Sequence, residues 1–357
     1  MNAMKMLFKF LSSVAVLSLF LSCTEGNANN IIEEWPWEDP QEQEKPEEKP
    51  AEDDPNQEYV NLGWVNVGDA YGSLPAHINV YRSPSKLVGK AAVAYIAVAD
   101  MKSADWDVWS VKSDLTYKTS DSFRTPVEVY QAEKCPVVIN GGYFFYADGN
   151  YTSSLAASDG KVLAYNINYA SEDWMTVYYP TRAAFLQTAD MKFDACWTYV
   201  TAGGQHFTYQ KPAANSYASA PLEVPSATFP EKAVEFKAQT AIGGGPVLIN
   251  SGEITDSWEA EMFDVGGVEP TSSHPRTAIG VTGDKKLILF VCEGRNMTEG
   301  VKGMTTAEVA AILKDLGCVE AINLDGGGSS CMLVNGKETI KVSDGNQRSV
   351  ASAVMLR

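Results

Sequence analysis

The chain has 357 residues, a formal net charge of −17 and an apolar content of 45%. This apolar fraction supports a packed core of one large or two small domains and excludes a wholly disordered chain. The excess of acidic residues is repelled by phosphates, which excludes nucleic acid as a partner, and three dispersed histidines argue against a multi-histidine zinc site.

The first 23 residues predict a lipoprotein signal peptide. Two lysines precede an apolar run, Phe10 to Leu21, that is too short to span a membrane comfortably. The run leads through a serine into Cys23, which resembles a bacterial site where cleavage leaves a lipid-modified cysteine. An ordinary secretory signal followed by an unmodified cysteine is the alternative. We therefore expect residues 1–23 to direct export and Cys23 to carry a lipid as the sole membrane contact, at the periplasmic face or the cell surface.

Residues 24–58 predict a disordered tether. They contain 13 acidic residues and five prolines, a composition that favours an extended chain and cannot bury a core. No internal repeat and no second linker follow. We therefore expect one folded domain over residues 59–357.

Short apolar segments separated by turn residues predict many β-strands in that domain. Their positions are 135–145 around a glycine turn, 246–249 before a hairpin turn, 276–282 and 286–292 as a hairpin, 321–325, and 349–356. This pattern predicts an α+β domain with a large, mostly antiparallel mixed sheet and glycine-rich turns at strand ends that form a pocket.

One helix is predicted among the strands. Thr305 and Glu308 form a capping box, and Val309 begins an apolar face that continues through Ile312, Leu313 and Leu316. Gly317 ends the helix.

Five cysteines follow Cys23 in the chain. Because their number is odd, at least one thiol stays free, and no pairing follows from the spacing. We expect them to be mainly small buried residues. They are Cys135, Cys196, Cys292, Cys318 and Cys331.

Three glycine clusters stand at predicted strand ends. They occupy positions 140–144, 243–248 and 323–330, and glycine lets a ligand approach backbone amides closely. None has the lysine-serine ending of a phosphate loop or a following helix, so nucleotide-binding loops are excluded. Each cluster alone could be a plain turn, but three in one domain indicate a site.

Charged residues occupy similar positions. Asp325 opens the last glycine turn, where partial desolvation tunes a carboxyl group for acid, base or nucleophile chemistry. Arginine suits a phosphate oxyanion, and three arginines lie near strand ends: Arg276, Arg295 and Arg348. Capping of the turn and surface ion pairs are the structural alternatives. No serine-hydrolase elbow surrounds Ser329, since the closing glycine is missing.

Together these segments resemble the phosphodiester glycosidase family. The resemblance rests on Asn-Gly-Gly-Tyr-Phe (140–144), Gly-Gly-Gly-Pro-Val-Leu (243–248), His-Pro-Arg-Thr-Ala-Ile-Gly (274–280) and Asn-Leu-Asp-Gly-Gly-Gly-Ser-Ser (323–330), within residues 135–357. It implies hydrolysis of a sugar-1-phosphodiester of the N-acetylglucosamine-1-phosphate type to free sugar and phosphomonoester, in cell-envelope or extracellular glycans.

The resemblance also implies the residues of the site. The implied catalytic residues are Asp325, Glu293 and His274. The implied substrate- and phosphate-binding residues are Asn140, Gly141, Gly142, Gly244, Gly245, Arg276, Thr277, Arg295, Gly327, Ser329 and Arg348. Tyr143 stands where the family usually has phenylalanine, and Glu293 has a longer side chain than the family's usual acid. No cofactor is indicated, and the oligomeric state is left open.

Two other functions stay open. In a metal-dependent phosphodiesterase, Asp325, Glu293 and Asn140 hold a divalent ion and the P–O bond is split. In a non-enzymatic glycan-binding lipoprotein, exposed aromatics such as Tyr143, Phe144 and Tyr146 capture the sugar.

Overall fold

The computed structural model describes residues 54–263 and 267–357. The predicted signal peptide, Cys23 and most of the tether lie outside these residues. The described residues belong to one compact unit.

The start of the domain lies slightly earlier than the sequence indicated. Helix α1 (Gln57–Asn61) spans the predicted boundary at residue 59. The Tyr81 hydroxyl donates to Asp54 Oδ1 at 2.6 Å, and the buried Asn56 donates to the Tyr81 oxygen at 2.8 Å. Residues 54–58 therefore pack against the domain and are not part of an extended tether.

The described residues form 25 strands, and every pair of neighbouring strands is antiparallel. The strands are β1 (Val65–Asn66), β2 (Ile78–Arg82), β3 (Lys86–Leu87), β4 (Lys90–Ala91), β5 (Ala94–Asp100), β6 (Trp106–Ser110), β7 (Lys118–Thr119), β8 (Val137–Asn140), β9 (Phe144–Tyr146), β10 (Asn150–Thr152), β11 (Ala156–Ser158), β12 (Lys161–Ala164), β13 (Arg182–Gln187), β14 (Phe193–Val200), β15 (His206–Tyr209), β16 (Val234–Glu235), β17 (Thr240–Gly243), β18 (Val247–Asn250), β19 (Glu253–Ile254), β20 (Arg276–Thr282), β21 (Lys286–Cys292), β22 (Cys318–Asn323), β23 (Met332–Val334), β24 (Lys337–Glu338) and β25 (Ser352–Leu356).

Three of the five sheets that the described residues form surround the main core. An eight-stranded sheet has the order β1-β2-β5-β21-β20-β22-β18-β19, a seven-stranded sheet β12-β11-β17-β13-β14-β15-β16, and a five-stranded sheet β24-β23-β8-β25-β6. Val80, Phe185 and Ile139, one from each sheet, belong to the same buried cluster. The α+β prediction with mostly antiparallel strands is confirmed, although the strands divide among several sheets.

The predicted helix is present as α3 (Thr306–Asp315), and both capping-box hydrogen bonds form. Its apolar face packs on the eight-stranded sheet, and Gly317 has a φ of +85°. A helix that was not predicted, α2 (Pro126–Glu133), has its own capping box between Thr125 and Glu128. All five described cysteines are free and buried.

Strand pairing brings the predicted turns together. Ala278 of β20 pairs with Asn323 of β22, so the start of β20 lies beside the end of β22. The Asp325 backbone N–H donates to the Gly141 carbonyl at 3.1 Å and so ties this edge to the end of β8. The Gly245 N–H, in the turn after β17, donates to the Asn323 carbonyl at 2.7 Å, so the turns after β8, β17 and β22 meet at one place.

Candidate active site

A cavity of about 560 Å3 opens where these turns meet, within the size range of ligand pockets. Its described lining consists of Tyr143, Phe144, Phe145, Tyr146, Ser153, Ile167, Arg182, Gly244, Phe263, Gly267, Val268, Glu269, His274, Arg276, Arg295, Asp325, Gly326, Gly327, Gly328 and Arg348. The predicted residues that do not belong to this lining are Glu293, Asn140, Gly141, Gly142, Gly245, Thr277 and Ser329.

Asp325 lies in the turn just after β22 and lines the cavity. Burial raises its pKa to about 6, whereas the Ser329 hydroxyl, the charge of Arg348 and the Gly326 N–H favour the ionised form. The Gly326 N–H donates to Asp325 Oδ1 at 2.8 Å, and Arg348 Nη1 donates to Ser329 Oγ at 3.3 Å. A carboxyl group in a cavity with a pKa near neutrality is a candidate for catalysis.

Asn140 and Thr277 hold the Asp325 turn from behind. Asn140 Nδ2 donates to the Asp325 carbonyl at 2.7 Å, and Asn140 Oδ1 accepts from Thr277 Oγ1 at 2.8 Å and from the Cys331 N–H at 3.1 Å. Both side chains are fully buried. Their geometry indicates a role in positioning Asp325, and direct substrate contact by either stays a prediction.

The glycines of the first two clusters let the turns pack closely. A Cβ atom on Gly142 would overlap the Gly243 carbonyl and Ser154, and one on Gly244 would crowd the Asn323 carbonyl. These glycines are therefore required by protein packing whatever the ligand, and their predicted substrate contacts stay predictions.

Arg295 and Arg348 lie over the last glycine turn. A Cβ on Gly327 would lie 2.8 Å from Arg295 Nη2, and one on Gly328 would overlap the Arg348 guanidinium, so the absence of side chains there makes room for both arginines. Asp344 lies 2.5 Å from Arg348 Nη2 and 3.6 Å from Arg295 Nη1. The two guanidinium groups share this one salt-bridge partner, so they keep N–H donors for an anion such as a phosphate.

Arg276 has a different arrangement from the other two arginines. Its side chain is buried, and its guanidinium donates to the backbone carbonyls of Met304, Val268, Glu269 and Ser272 at 2.7–2.9 Å. Four of its five N–H groups are thus engaged, so at most one is available to a phosphate. The geometry indicates that Arg276 shapes the loop before β20, and its predicted phosphate contact stays a prediction.

We expect Arg276→Lys to lower the free energy of unfolding by about 2–4 kcal/mol, because lysine keeps the charge but leaves buried carbonyls without donors. Urea denaturation measures the change. Arg82→Lys, at an exposed position of β2, is the matched control and should differ from the original protein by less than about 0.5 kcal/mol. Equal stability of the two variants would contradict the structural role of Arg276.

His274 is paired with a carboxylate that the sequence analysis did not identify. His274 Nε2 lies 2.7 Å from Glu269 Oε2, and Glu269 is the more exposed partner, with 60% of its side chain accessible against 24% for the histidine. His274 Nδ1 is buried and has no hydrogen-bond partner among the described residues. The cavity therefore presents a histidine–carboxylate pair on the loop that Arg276 holds.

Glu293 is not brought into the cavity. It is 3% exposed, and its Oε1 accepts from the Lys341 N–H at 3.0 Å. The catalytic role that the family resemblance implied for Glu293 stays a prediction. Within residues 54–263 and 267–357, no group of three or more histidine, cysteine, aspartate or glutamate side chains could hold a metal ion.

Aromatic residues form another wall of the cavity. The Tyr143 hydroxyl donates to the Gly245 carbonyl at 2.6 Å and accepts from Asn323 Nδ2 at 2.9 Å. Phe144 and Tyr146 belong to the same lining, and Tyr146 is 60% exposed. The aromatics named in the sequence analysis therefore border the site.

Arg182 and Phe263 also line the cavity, and no sequence motif predicted either residue as part of the site. The Arg182 guanidinium lies 4.5 Å from the centre of the Phe263 ring. Beneath them the fully buried Glu261, whose pKa burial raises to about 7, accepts from the N–H groups of Ala183 and Val247 at 2.7 and 2.8 Å. These residues lie far apart in the sequence, so only the packing of two sheets reveals the cluster.

The family model described as phosphodiester glycosidase matches residues 133–357. This range is more than half of the chain and includes every described residue of the cavity lining.

Two known proteins share shorter segments. The SPbeta prophage-derived uncharacterized protein YomE of Bacillus subtilis is 36% identical over 83 residues, 23% of this chain and 13% of its own length. The mouse N-acetylglucosamine-1-phosphodiester α-N-acetylglucosaminidase is 44% identical over 95 residues, 27% of this chain and 18% of its own length. The chain thus matches less than a fifth of each relative's length.

Among solved structures, the catalytic domain of zebrafish N-acetylglucosamine-1-phosphodiester α-N-acetylglucosaminidase is similar with a TM-score of 0.52 and 20% identity. The match covers 80% of this chain and 85% of the zebrafish chain. At this identity the similarity shows the fold.

Proposed function

The chain belongs to the phosphodiester glycosidase family, and from that premise we propose that it hydrolyses a sugar-1-phosphodiester of the N-acetylglucosamine-1-phosphate type. The products are the free sugar and a phosphomonoester. N-acetylglucosamine is the sugar in the names of the mouse and zebrafish relatives. Glycans of the cell envelope or outside the cell are the proposed substrates.

One observation carries this proposal: the same cavity holds Asp325 and the guanidinium groups of Arg295 and Arg348. A sugar-1-phosphodiester has an electrophilic anomeric carbon next to an anionic phosphate. The carboxyl group of Asp325 can act at the anomeric carbon, and the guanidinium groups of Arg295 and Arg348 can bind the phosphate.

In the proposed mechanism, Arg295 and Arg348 bind the phosphate and stabilise the charge that develops on its oxygen as the C–O bond breaks. Phosphate is a good leaving group even without protonation. Ionised Asp325 therefore acts at the anomeric carbon, as a nucleophile or by stabilising its positive charge. Asn140 and Thr277 keep Asp325 in place through the contacts described above.

The proposed location is the bacterial cell envelope, with the lipid on Cys23 as the membrane anchor and residues 24–58 mainly as spacer. The support is the sequence of the leader and tether alone. In the part of the chain that the structure describes, no helix has the length and apolarity needed to cross a membrane.

Product analysis in oxygen-18 water tests the function. The full-length protein is incubated with a panel of sugar-1-phosphodiesters, with and without chelator. Label in the anomeric hydroxyl of the free sugar is expected, because water attacks carbon. Label in the phosphate, or activity that a chelator abolishes and one ion restores, would instead support the metal-dependent phosphodiesterase, and binding without turnover would support the glycan-binding alternative.

The pH dependence of kcat/KM gives a second test. Since the pKa of Asp325 is raised to about 6 and its ionised form is the active one, the rate should rise with pH through about 6. The rise should disappear in Asp325→Asn. A rate that falls through this pH would show that the protonated form acts instead, as a general acid.

A further inference from the structure

We propose that Glu269 is the base that accepts a proton from the water attacking the anomeric carbon, and so is the second catalytic carboxylate beside Asp325. This role rests on the proposed function. It takes the place of Glu293, which the family resemblance implied as a catalytic residue.

The exposure of the Glu269–His274 pair decides which member meets a ligand. The imidazole uses Nε2 at 2.7 Å from Glu269 Oε2, and its Nδ1 is buried. Its neutral form therefore donates Nε2–H to the carboxylate and has no second nitrogen exposed. Glu269 keeps Oε1 on a side chain that is 60% exposed at the cavity wall.

The backbone holds Glu269 in an unusual conformation. Its φ is +46°, a region that glutamate rarely adopts, and Arg276 Nη2 donates to its carbonyl at 2.7 Å. Strain of this kind persists where surrounding contacts fix it, and it clusters at functional sites. Arg276 and His274 thus direct the backbone and the carboxylate of one residue from two sides.

Other acidic residues near the site have different positions. Among the described lining residues, Asp325 and Glu269 are the acids. Glu261 accepts backbone N–H groups beneath the wall, and Asp344 pairs with Arg348. Glu293 binds the Lys341 N–H outside the lining.

The step balances with water as the co-reactant. A water proton passes to Glu269 as the water oxygen bonds to the anomeric carbon. In direct attack, the bond from that carbon to the phosphate oxygen breaks. If a glycosyl ester with Asp325 has formed first, the bond from the carbon to the Asp325 oxygen breaks instead. In both cases the leaving oxygen keeps the electron pair. The proton then passes from Glu269 to solvent, and sugar and phosphomonoester are released.

Glu269→Ala tests the role directly. Its kcat should fall about 10²–10⁴-fold, and added azide should restore substrate consumption, because azide attacks carbon without losing a proton. The product should be a glycosyl azide, whose inverted or retained anomeric configuration reports direct attack or a glycosyl ester. Glu253→Ala, on the exposed edge strand β19, is the matched control and should behave as the original protein.

His274→Ala gives a second readout. If His274 acts through Glu269, His274→Ala alone should lower kcat. The double variant with His274→Ala and Glu269→Ala should then have the same kcat as Glu269→Ala alone. Additive losses would overturn this coupling.

A Glu269→Ala enzyme within about threefold of the original kcat would overturn the proposal. A folded variant with lost activity that azide does not restore would also overturn it. Failure of the proposed function can be distinguished from failure of the Glu269 role. It would be seen with the unmodified enzyme in oxygen-18 water, either as no turnover or as label in the phosphate.

Discussion

Asp325→Asn is expected to lower kcat about 10²–10⁴-fold while the protein stays folded, because the amide can neither ionise nor attack the anomeric carbon. Asparagine keeps an oxygen that can accept from the Gly326 N–H, which lies 2.8 Å from Asp325 Oδ1, so the turn should be preserved. The measurement is initial rate on a sugar-1-phosphodiester. Asp69→Asn, at an exposed position far along the chain from the cavity turns, should show the rate of the original protein.

A measurement of protein stability distinguishes this loss of kcat in Asp325→Asn from a loss caused by unfolding. The Asp325 pKa is raised from 3.8 to about 6 in the folded protein, so folding favours the protonated carboxyl group. Its contribution to stability is full below pH 3.8 and is lost as pH rises through about 6. Since asparagine removes a charge that is partly desolvated above pH 6, Asp325→Asn should be at least as stable as the original protein at pH 8. A large loss of stability, or near-normal turnover, would contradict the assignment.

Arg348→Ala is expected to lower kcat/KM about 10²–10³-fold, mainly through kcat, because charge on the phosphate grows as the C–O bond breaks. The loss has a second source, since Asp344, now 2.5 Å from Arg348 Nη2, would face the phosphate with its main partner removed. Arg295→Ala should have the same direction and a smaller effect, because Arg295 lies 3.6 Å from Asp344 and makes the weaker pair.

A double variant isolates the electrostatic part of this effect. Arg348→Ala with Asp344→Asn should recover part of the lost kcat/KM, because the unpaired carboxylate no longer repels the phosphate. Arg357→Ala, which removes exposed contacts to Asp107 and Glu133, is the matched control and should leave kinetics unchanged. Equal activity of Arg348→Ala and Arg357→Ala would contradict the assignment of Arg348 to the phosphate site.

Several parts of the fold could be predicted because their signals are local. The hairpin of β20 and β21 has the predicted bounds, since apolar runs flank a short turn. The ends of α3 follow from Thr305, Glu308 and Gly317, which satisfy backbone groups within one helical turn. The α2 helix carried the same local signal in Thr125 and Glu128.

The sequence by itself determined the family, the antiparallel α+β class and the place of Asp325 in a glycine turn. Only the tertiary structure decided where the charged side chains point. Arg276 and Glu293 turn toward backbone groups, while Glu269, on a loop without periodic pattern, reaches the cavity. The physical reason is that side-chain direction depends on which hydrogen-bond partners and which space the other sheets supply, and those sheets come from distant parts of the chain.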